Sequence, residues 1–484
     1  MLITFFVSPI IVHSLGNENY GIWTLIVSIT GYFTVLDFGV NTAIVRYISM
    51  YMAKGEFKKA KGIYTTAFVF FFIIGISVFM VTAIMGYFFR DYFNIETLSK
   101  EYLYFVFFIV GADFAFNFIF TVNQATLFGL QDFLKVNTIS ISSIVVRSSL
   151  TVFFLLYGYS LVALAVIQLL ASIFRALFQY LTIRKKYKFF VFNWQMYDRQ
   201  MLKQIFNYSI YSFLISIALK ILFFTDSVVI GKLIKVSEVT FFAIPAMMMD
   251  YTEKFIWTIS AVMIPVISSH DATGDHEKNR EIYIYGSKYS LMLSIPIIFV
   301  IYTNGANFIS IWMGEEYGMR AEWVLKILTV GYAFYFPQMI SHGVLKGISK
   351  HKIFAYILIA EAVANLGISV FLAKSLGIEG VALGTAIPLI IVNTIIVPMY
   401  TCRVLKLNIL SYTMESYIKP LCALAILTVF YHYFNIKTAN YLDLFLYTSS
   451  VIIFMAVFSF LFIIEKGHRD WAFNGLKSKL SRFV

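Results

Sequence analysis

Charge is scarce in this chain of 484 residues. Asp, Glu, Lys and Arg make up 13% of it, where soluble domains run at about 25%. That scarcity excludes an ordinary soluble enzyme and a charged, disordered chain. Cysteine is nearly missing. Cys402 and Cys422 both lie in or beside apolar runs and give neither a disulfide framework nor metal-ligand spacing. Catalytic signatures are lacking as well. Gly231-Lys232 is followed by Leu233, so there is no G-x-x-x-x-G-K-S/T phosphate loop for ATP. No H-E-x-x-H, G-x-S-x-G or paired-cysteine zinc spacing occurs. No loop is long enough to fold as a soluble domain. The reading is therefore a non-enzyme, with no cofactor and no metal.

What the chain has instead is apolar length. Sixty per cent of it is apolar or aromatic, including 51 Phe and 32 Tyr, and a spanning helix needs about 20 such residues. The runs fall at 1–13, 20–42, 63–89, 102–126, 138–157 and 161–183. They resume at 204–231, 236–268, 282–303, 321–343, 353–374, 381–402, 417–434 and 442–464. This predicts an all-α polytopic membrane protein with about 14 transmembrane helices. Most of the 38 basic residues sit in the even-numbered loops and the C-terminal tail, led by Lys54, Lys58, Lys59 and Lys61 and by Arg184, Lys185, Lys186 and Lys188. The bias of Lys and Arg toward the cytoplasm places both termini there. No charged segment followed by a small-residue cleavage site marks a signal peptide.

The chain repeats itself. Lys54 to Tyr64 (KGEFKKAKGIY) aligns with Thr273 to Tyr283 (TGDHEKNREIY), Leu127 to Leu130 (LFGL) with Leu345 to Ile348 (LKGI), and Leu161 to Leu164 (LVAL) with Gly380 to Leu383 (GVAL). The offset is 218 or 219 each time, which is six runs. An even number of passes gives two halves inserted in the same direction, as in transporters with parallel repeats. The organisation read from this is an N-terminal lobe over 1–183, a basic cytoplasmic segment over 184–203 and a C-terminal lobe over 204–402. Two further helices occupy 403–464, and a basic tail occupies 465–484. Run seven reaches back to Gln204, whose counterpart would precede Met1, so the first helix is expected to be short by roughly 15 residues or truncated.

Two segments read as lying on the membrane surface. The tail places Phe473, Leu476, Leu480 and Phe483 at helical spacing, with Lys477, Lys479 and Arg482 largely opposite. Arg184–Lys203 mixes bases with Phe189, Phe190, Phe192 and Trp194. Both predict contact with anionic membrane lipids. No basic stripe lies elsewhere, which argues against nucleic acid.

Charges inside the runs are the main functional signal, because each costs at least ~2.5–3.5 kcal/mol at a helix centre on insertion scales. Near mid-depth lie Arg147, Arg175, Lys220 and Lys254, with Asp113, Asp226, Asp250, Glu253 and Glu361. Asp37 sits lower in run two, and Arg46 and Lys288 lie near cytoplasmic ends. Asp250 and Lys254 are four apart and can satisfy one another. Arg46 and Lys288 fit interhelical pairing or snorkelling. Arg147, Arg175 and Lys220 have no acid three or four residues away on their own helix. The expectation is a wet cavity between the halves in which Arg147, Arg175, Lys220 and Lys254 meet an anionic head group. Carboxylates in such a cavity suit a coupling proton or Na⁺, with Asp226 and Glu361 first and Asp113 and Asp37 after them. Pro245, Pro265, Pro296, Pro337, Pro388 and Pro398 fall in or near second-half runs, against Pro9 in the first half, and read as local bends.

The stretch Leu15 to Trp23 (LGNENYGIW), followed by Leu36-Asp37-Phe38-Gly39 and Val45-Arg46-Tyr47, resembles the opening of the Wzx-type polysaccharide flippases. Lys54-Gly55-Glu56, Leu127 to Gln131 (LFGLQ) and Asp226 fit the same pattern. That family belongs to the multidrug/oligosaccharidyl-lipid/polysaccharide exporter superfamily, and the resemblance covers nearly the whole chain. It implies two six-helix lobes plus two extra helices and alternating access. Its implied substrate is an undecaprenyl-pyrophosphate-linked oligosaccharide carried to the outer leaflet. The alternatives are a MATE-like exporter of cationic drugs and, behind it, a membrane polysaccharide polymerase.

Overall fold

The computed structural model describes residues 2–187, 190–348, 350–434 and 438–470. Apart from short turns they are helical, and no strand occurs among them. Fourteen α-helices follow in order. They are α1 (Leu2–Gly31), α2 (Val40–Ala53), α3 (Phe57–Phe93), α4 (Lys100–Gly129), α5 (Phe133–Leu156), α6 (Leu161–Lys186) and α7 (Arg199–Leu233). Then come α8 (Val236–Ala272), α9 (His276–Met313), α10 (Glu315–Gly347), α11 (His351–Ile391), α12 (Val397–Leu405), α13 (Ile409–Phe434) and α14 (Tyr441–Phe458). Their starts carry the caps expected of polar turns. Ser99 accepts from the Tyr102 N–H at 3.1 Å, Asp275 from Lys278 at 3.1 Å and Asn440 from Asp443 at 2.9 Å.

The apolar runs do not map one-to-one onto these helices. Among the described residues, ten stretches are long and apolar enough to cross a membrane. Two of them, of 51 and 54 residues, would reach roughly 75–80 Å as straight helices against a core of about 30 Å. Both turn at a glycine with positive φ, Gly16 (φ 74°) inside α1 and Gly377 (φ 62°) inside α11. With α8 and α10, which are long but more polar, the total is compatible with fourteen passes. The chain is a multi-pass membrane protein.

The sequence repeat has a backbone counterpart. Gly55 and Gly274 take φ of 71° and 74°, and Gly158 and Gly377 take 84° and 62°. Each pair is separated by the same 219 residues, so the turns that reverse the chain recur in register. A left-handed residue is what a side chain with a Cβ resists.

The chain divides into two compact units, residues 1–243 with 370–381, and 244–369 with 382–484. In the first, the core gathers Ile44, Tyr47, Ile48, Ile63, Phe71, Val122, Leu127 and Ile183 from α2, α3, α4 and α6. α7, the first helix of the second repeat, packs here against α1, α2 and α3. In the second, α13 and α14 pack on α9. Tyr283 and Tyr412 stack with ring centroids 4.5 Å apart, and Gln338 donates to the hydroxyls of Tyr412 at 3.0 Å and Tyr417 at 2.5 Å. Lys288, expected to pair across helices, does so with Glu465 at 3.0 Å. That ammonium holds the Glu465 carboxyl below the ordinary glutamate range. Exposed Phe, Ile, Leu and Val cover the outer surfaces of α3, α5, α6 and α14, as lipid contact requires. The C-terminal amphipathic stretch around Phe473–Phe483 and part of the inter-lobe segment, including Lys188 and Phe189, lie outside the described residues.

Small residues let helices close up. In the second unit a Cβ on Gly384 would stand 2.5 and 2.6 Å from the backbone N and Cα of Ser369, whereas one on Gly367 would meet nothing within 4 Å. Gly384→Ala is therefore expected to lower the melting temperature of the purified protein by several degrees. Gly367→Ala should leave it unchanged or raise it, by up to about 1 kcal/mol of helix propensity. Equal melting of the two variants would show that the Ser369 contact does not hold these helices.

Candidate functional site

The apolar run that begins at Tyr20 is broken in its middle. α1 passes into a tight turn of 3₁₀ helix at Tyr32–Asp37, Phe38 and Gly39 take positive φ, and α2 starts at Val40. Asp37 ends the first segment and caps the second, its Oδ1 accepting the Asn41 N–H at 3.2 Å. An interrupted helix within the bilayer exposes polar backbone and a helix N-terminus, which is tolerable where it lines a cavity.

Such a cavity is present. About 590 Å³ in volume, it lies within the first unit and is lined by α2, α4, α5 and α6 with the turn before α2. α4 presents Asp113, Asn117 and Thr121 at intervals of four, α6 presents Gln168, Ser172 and Arg175, and α5 presents Ser143 and Arg147. Phe114 and Phe118 supply apolar wall. Asn41 ties α2 to α4, its amide donating to Thr121 Oγ1 at 3.1 Å.

The polar groups form one network around Asn117. Asp113 is buried, and its Oδ2 accepts from Gln168 Nε2 at 2.9 Å. Its Oδ1 accepts from Asn117 Nδ2 at 2.9 Å, and the same amide reaches Ser172 Oγ at 2.9 Å. Arg175 donates to Asn117 Oδ1. Acid and base are thus joined through a neutral amide, not by contact. Arg147 differs. Its guanidinium lines the cavity and makes no hydrogen bond or ion pair among the described residues. An ionised donor fork facing a cavity at membrane depth is suited to an anion that brings its own acceptors.

Four of the eight site residues expected from sequence thus meet here: Asp37, Asp113, Arg147 and Arg175. The other four do not line this cavity. Lys220, on α7, lies 4.3 Å from the centroid of the Phe224 ring. Asp226 is buried further along α7, next to Thr225, whose hydroxyl hydrogen-bonds that of Tyr32 at 2.5 Å. Lys254 and Glu361 belong to the second unit. Lys254 pairs with Asp250 at 2.5 Å on the half-exposed face of α8. Glu361 is buried and accepts from Asn393 Nδ2 at 3.4 Å, where α11 widens into a π-turn over Val392–Ile396. The cavity's neutral members, Asn41, Asn117, Thr121, Gln168 and Ser172, escaped sequence reading. Their signal was present: Asn41 and Asn117 each stand four residues after an aspartate, Asp37 and Asp113. Among the described residues no three His, Cys, Asp or Glu side chains gather as a metal site.

The comparisons agree with this architecture. Residues 1–270 match the family described as polysaccharide biosynthesis protein, and the chain belongs to that family. Residues 212–371 also match the MatE family. A relative from Shigella flexneri named putative O-antigen transporter is 21% identical over 80% of this chain and 91% of its own length. A Haloferax volcanii relative named probable low-salt glycan biosynthesis flippase is 25% identical over 40% of this chain and 41% of its own. Among solved structures, the lipid II flippase MurJ in an inward closed conformation superposes with a TM-score of 0.70 at 14% identity. It covers 95% of this chain and 96% of MurJ. An inward-facing MATE-family multidrug transporter gives 0.73 at 17% identity, over 84% of this chain and 94% of its own. These two likenesses establish the fold.

The network makes opposite demands on its members. Asn117→Leu strips a donor from Asp113 and the acceptor from Arg175, and should destabilise the protein by about 1–3 kcal/mol. Arg147→Gln removes a group with no internal bond and should shift stability by less than about 0.5 kcal/mol. Thermal unfolding of both variants in detergent distinguishes these outcomes, and a large loss for Arg147→Gln would mean that its charge is engaged within the fold.

Proposed function

We propose that this protein is a lipid-linked oligosaccharide flippase that carries undecaprenyl-pyrophosphate-linked polysaccharide repeat units across the bacterial cytoplasmic membrane by alternating access. The observation that carries this reading is the unpaired Arg147 in a membrane-depth cavity beside Arg175. Among the described residues Arg175 hydrogen-bonds to an amide, which a phosphate oxygen outcompetes as an acceptor. Membership of the polysaccharide biosynthesis family and the names of the O-antigen and glycan relatives support the same substrate class.

On this reading residues 1–183 and 204–402 act as the two lobes, with 403–464 as additional helices and both termini in the cytoplasm. Arg147 and Arg175 hold the pyrophosphate or acidic sugars. Lys220 and Lys254 are secondary, the latter because Asp250 already engages it. A coupling H⁺ or Na⁺ is taken by carboxylates among Asp37, Asp113, Asp226 and Glu361. The bases of Arg184–Lys203, beside exposed Trp194 and Tyr197, rest on anionic lipid of the inner leaflet.

Arg147→Gln and Arg175→Gln, singly and together, should abolish complementation of a flippase-deficient strain while protein levels in the membrane stay normal. The single Arg147 variant is expected to lose at least about tenfold in transport, the equivalent of one charge-assisted contact. Full complementation by the double variant would overturn the site. Drug resistance on overexpression, without any complementation by the unaltered protein, would overturn the flippase reading itself.

A further inference from the structure

The second unit contains a seam of polar groups that the reading above leaves unused. Along α8, Glu253, Trp257 and Ser260 stand at i, i+4 and i+7, and so share a face. Along α10, Tyr335, His342 and Lys346 stand at i, i+7 and i+11. The two faces meet. The Tyr335 hydroxyl donates to Glu253 Oε1 at 3.3 Å, and Lys346 Nζ lies 5.3 Å from the centroid of the Trp257 ring. Near these contacts the backbones approach closely, a Cβ on Gly343 standing 3.2 Å from the Ser260 carbonyl oxygen.

Three side chains in this seam have bonding capacity that no other described residue uses. His342 is 5% exposed, and its Nε2 has no hydrogen-bond partner. Ser260 is fully buried, and its Oγ has none either. Lys346 makes no hydrogen bond or ion pair among the described residues. Buried polar atoms are satisfied in the great majority of cases, and each exception calls for a missing partner. Lys346 and Trp257 are only partly buried, unlike Ser260 and His342. The base is also particular to this half of the chain. In the aligned turns LFGL and LKGI, Lys346 stands where the first copy has Phe128.

An ammonium, an imidazole and a hydroxyl thus stand along one seam, within two helical turns of each other, with the His342 ring packed against Phe354 and Tyr335. Their complement is an anion with several acceptor oxygens spread around one centre, which describes a phosphate better than a flat carboxylate. Glu253 lies at the far end of the seam, two turns from the Ser260 level, with its carboxylate engaged by Tyr335, so the anion belongs at the Lys346 end. We propose that Ser260, His342 and Lys346 form a phosphate-binding site in the second unit, with the Trp257 ring covering the group to which the phosphate is attached. The phosphate chemistry follows from the seam alone. The proposal rests on the flippase reading only for the source of the phosphate, a lipid head group.

The test uses the full chain, purified into nanodiscs of zwitterionic lipid and carrying Arg147→Gln to silence the first unit's open cation. The probes are a polyprenyl pyrophosphate, the matching polyprenol and inorganic pyrophosphate, with binding read by native mass spectrometry and Trp fluorescence. The polyprenyl pyrophosphate should bind and the polyprenol should not. Lys346→Gln should weaken binding about tenfold, and the near-isosteric His342→Gln by a smaller factor, with melting temperature reporting that both variants fold. Displacement by inorganic pyrophosphate would support the site with free phosphate as a ligand, and binding of the lipid probe alone would support it with a head group. The proposal is overturned if no phosphate-bearing probe binds, if polyprenol binds as tightly as its pyrophosphate, or if Lys346→Gln and His342→Gln both bind like their parent. Failure of the protein to move lipid-linked sugar, with this binding intact, would count against the flippase reading and leave the site standing.

Discussion

A charge placed in hydrocarbon must be answered, and the manner of the answer decides whether a helix bundle is sealed or open. In the first unit the answer is Asn117. Its carbonyl oxygen accepts from Arg175 while its amide nitrogen donates to Asp113, so each charge is stabilised without the two collapsing onto one another. A direct pair would have closed the space between α4 and α6 and spent both charges internally. The amide keeps them apart and leaves the cavity a polar wall. Gln168 and Ser172 extend the arrangement, and the broken helix at Asp37 adds polar backbone to its wall. Arg147 stands outside the network, and it is this exclusion that gives the cavity a positive charge to offer.

The two copies of the repeat use equivalent positions differently. At an offset of 218, Arg147 aligns with Asn365. Asn365 is buried, and its Nδ2 donates to Thr385 Oγ1 at 2.9 Å. Where the first copy keeps a cation facing a cavity, the second has a buried neutral amide. The second unit also carries unmet polar groups between α8 and α10. Shared topology thus hosts two distinct chemistries, in line with the rule that function resides in sites grafted onto folds.

Much of the fold was legible because bilayers leave few options: long apolar runs, short turns and biased loop charge translate directly into helices and their order. The interactions that obey a local rule were legible too. Asp250 and Lys254 read as a pair at i,i+4 and form one. Contacts between helices were not. That Asp37, Asp113, Arg147 and Arg175 would share one cavity depends on how four helices pack, and no spacing along the chain encodes it. Glu361 and Asn393 are 32 residues apart, and the turn that brings them together hinges on Gly377. Neutral partners were overlooked for another reason. Asparagine, glutamine and serine in an apolar run carry no large insertion penalty, so nothing about them demanded explanation until their hydrogen bonds were visible.

The matched glycines at the chain reversals bear on how this molecule has diverged. Lipid-facing positions tolerate almost any apolar side chain, so the two halves differ along most of their helices. A backbone that must turn back on itself through left-handed geometry grants no such freedom. Gly55 with Gly274, and Gly158 with Gly377, accordingly hold the register of the repeat where the intervening helices differ.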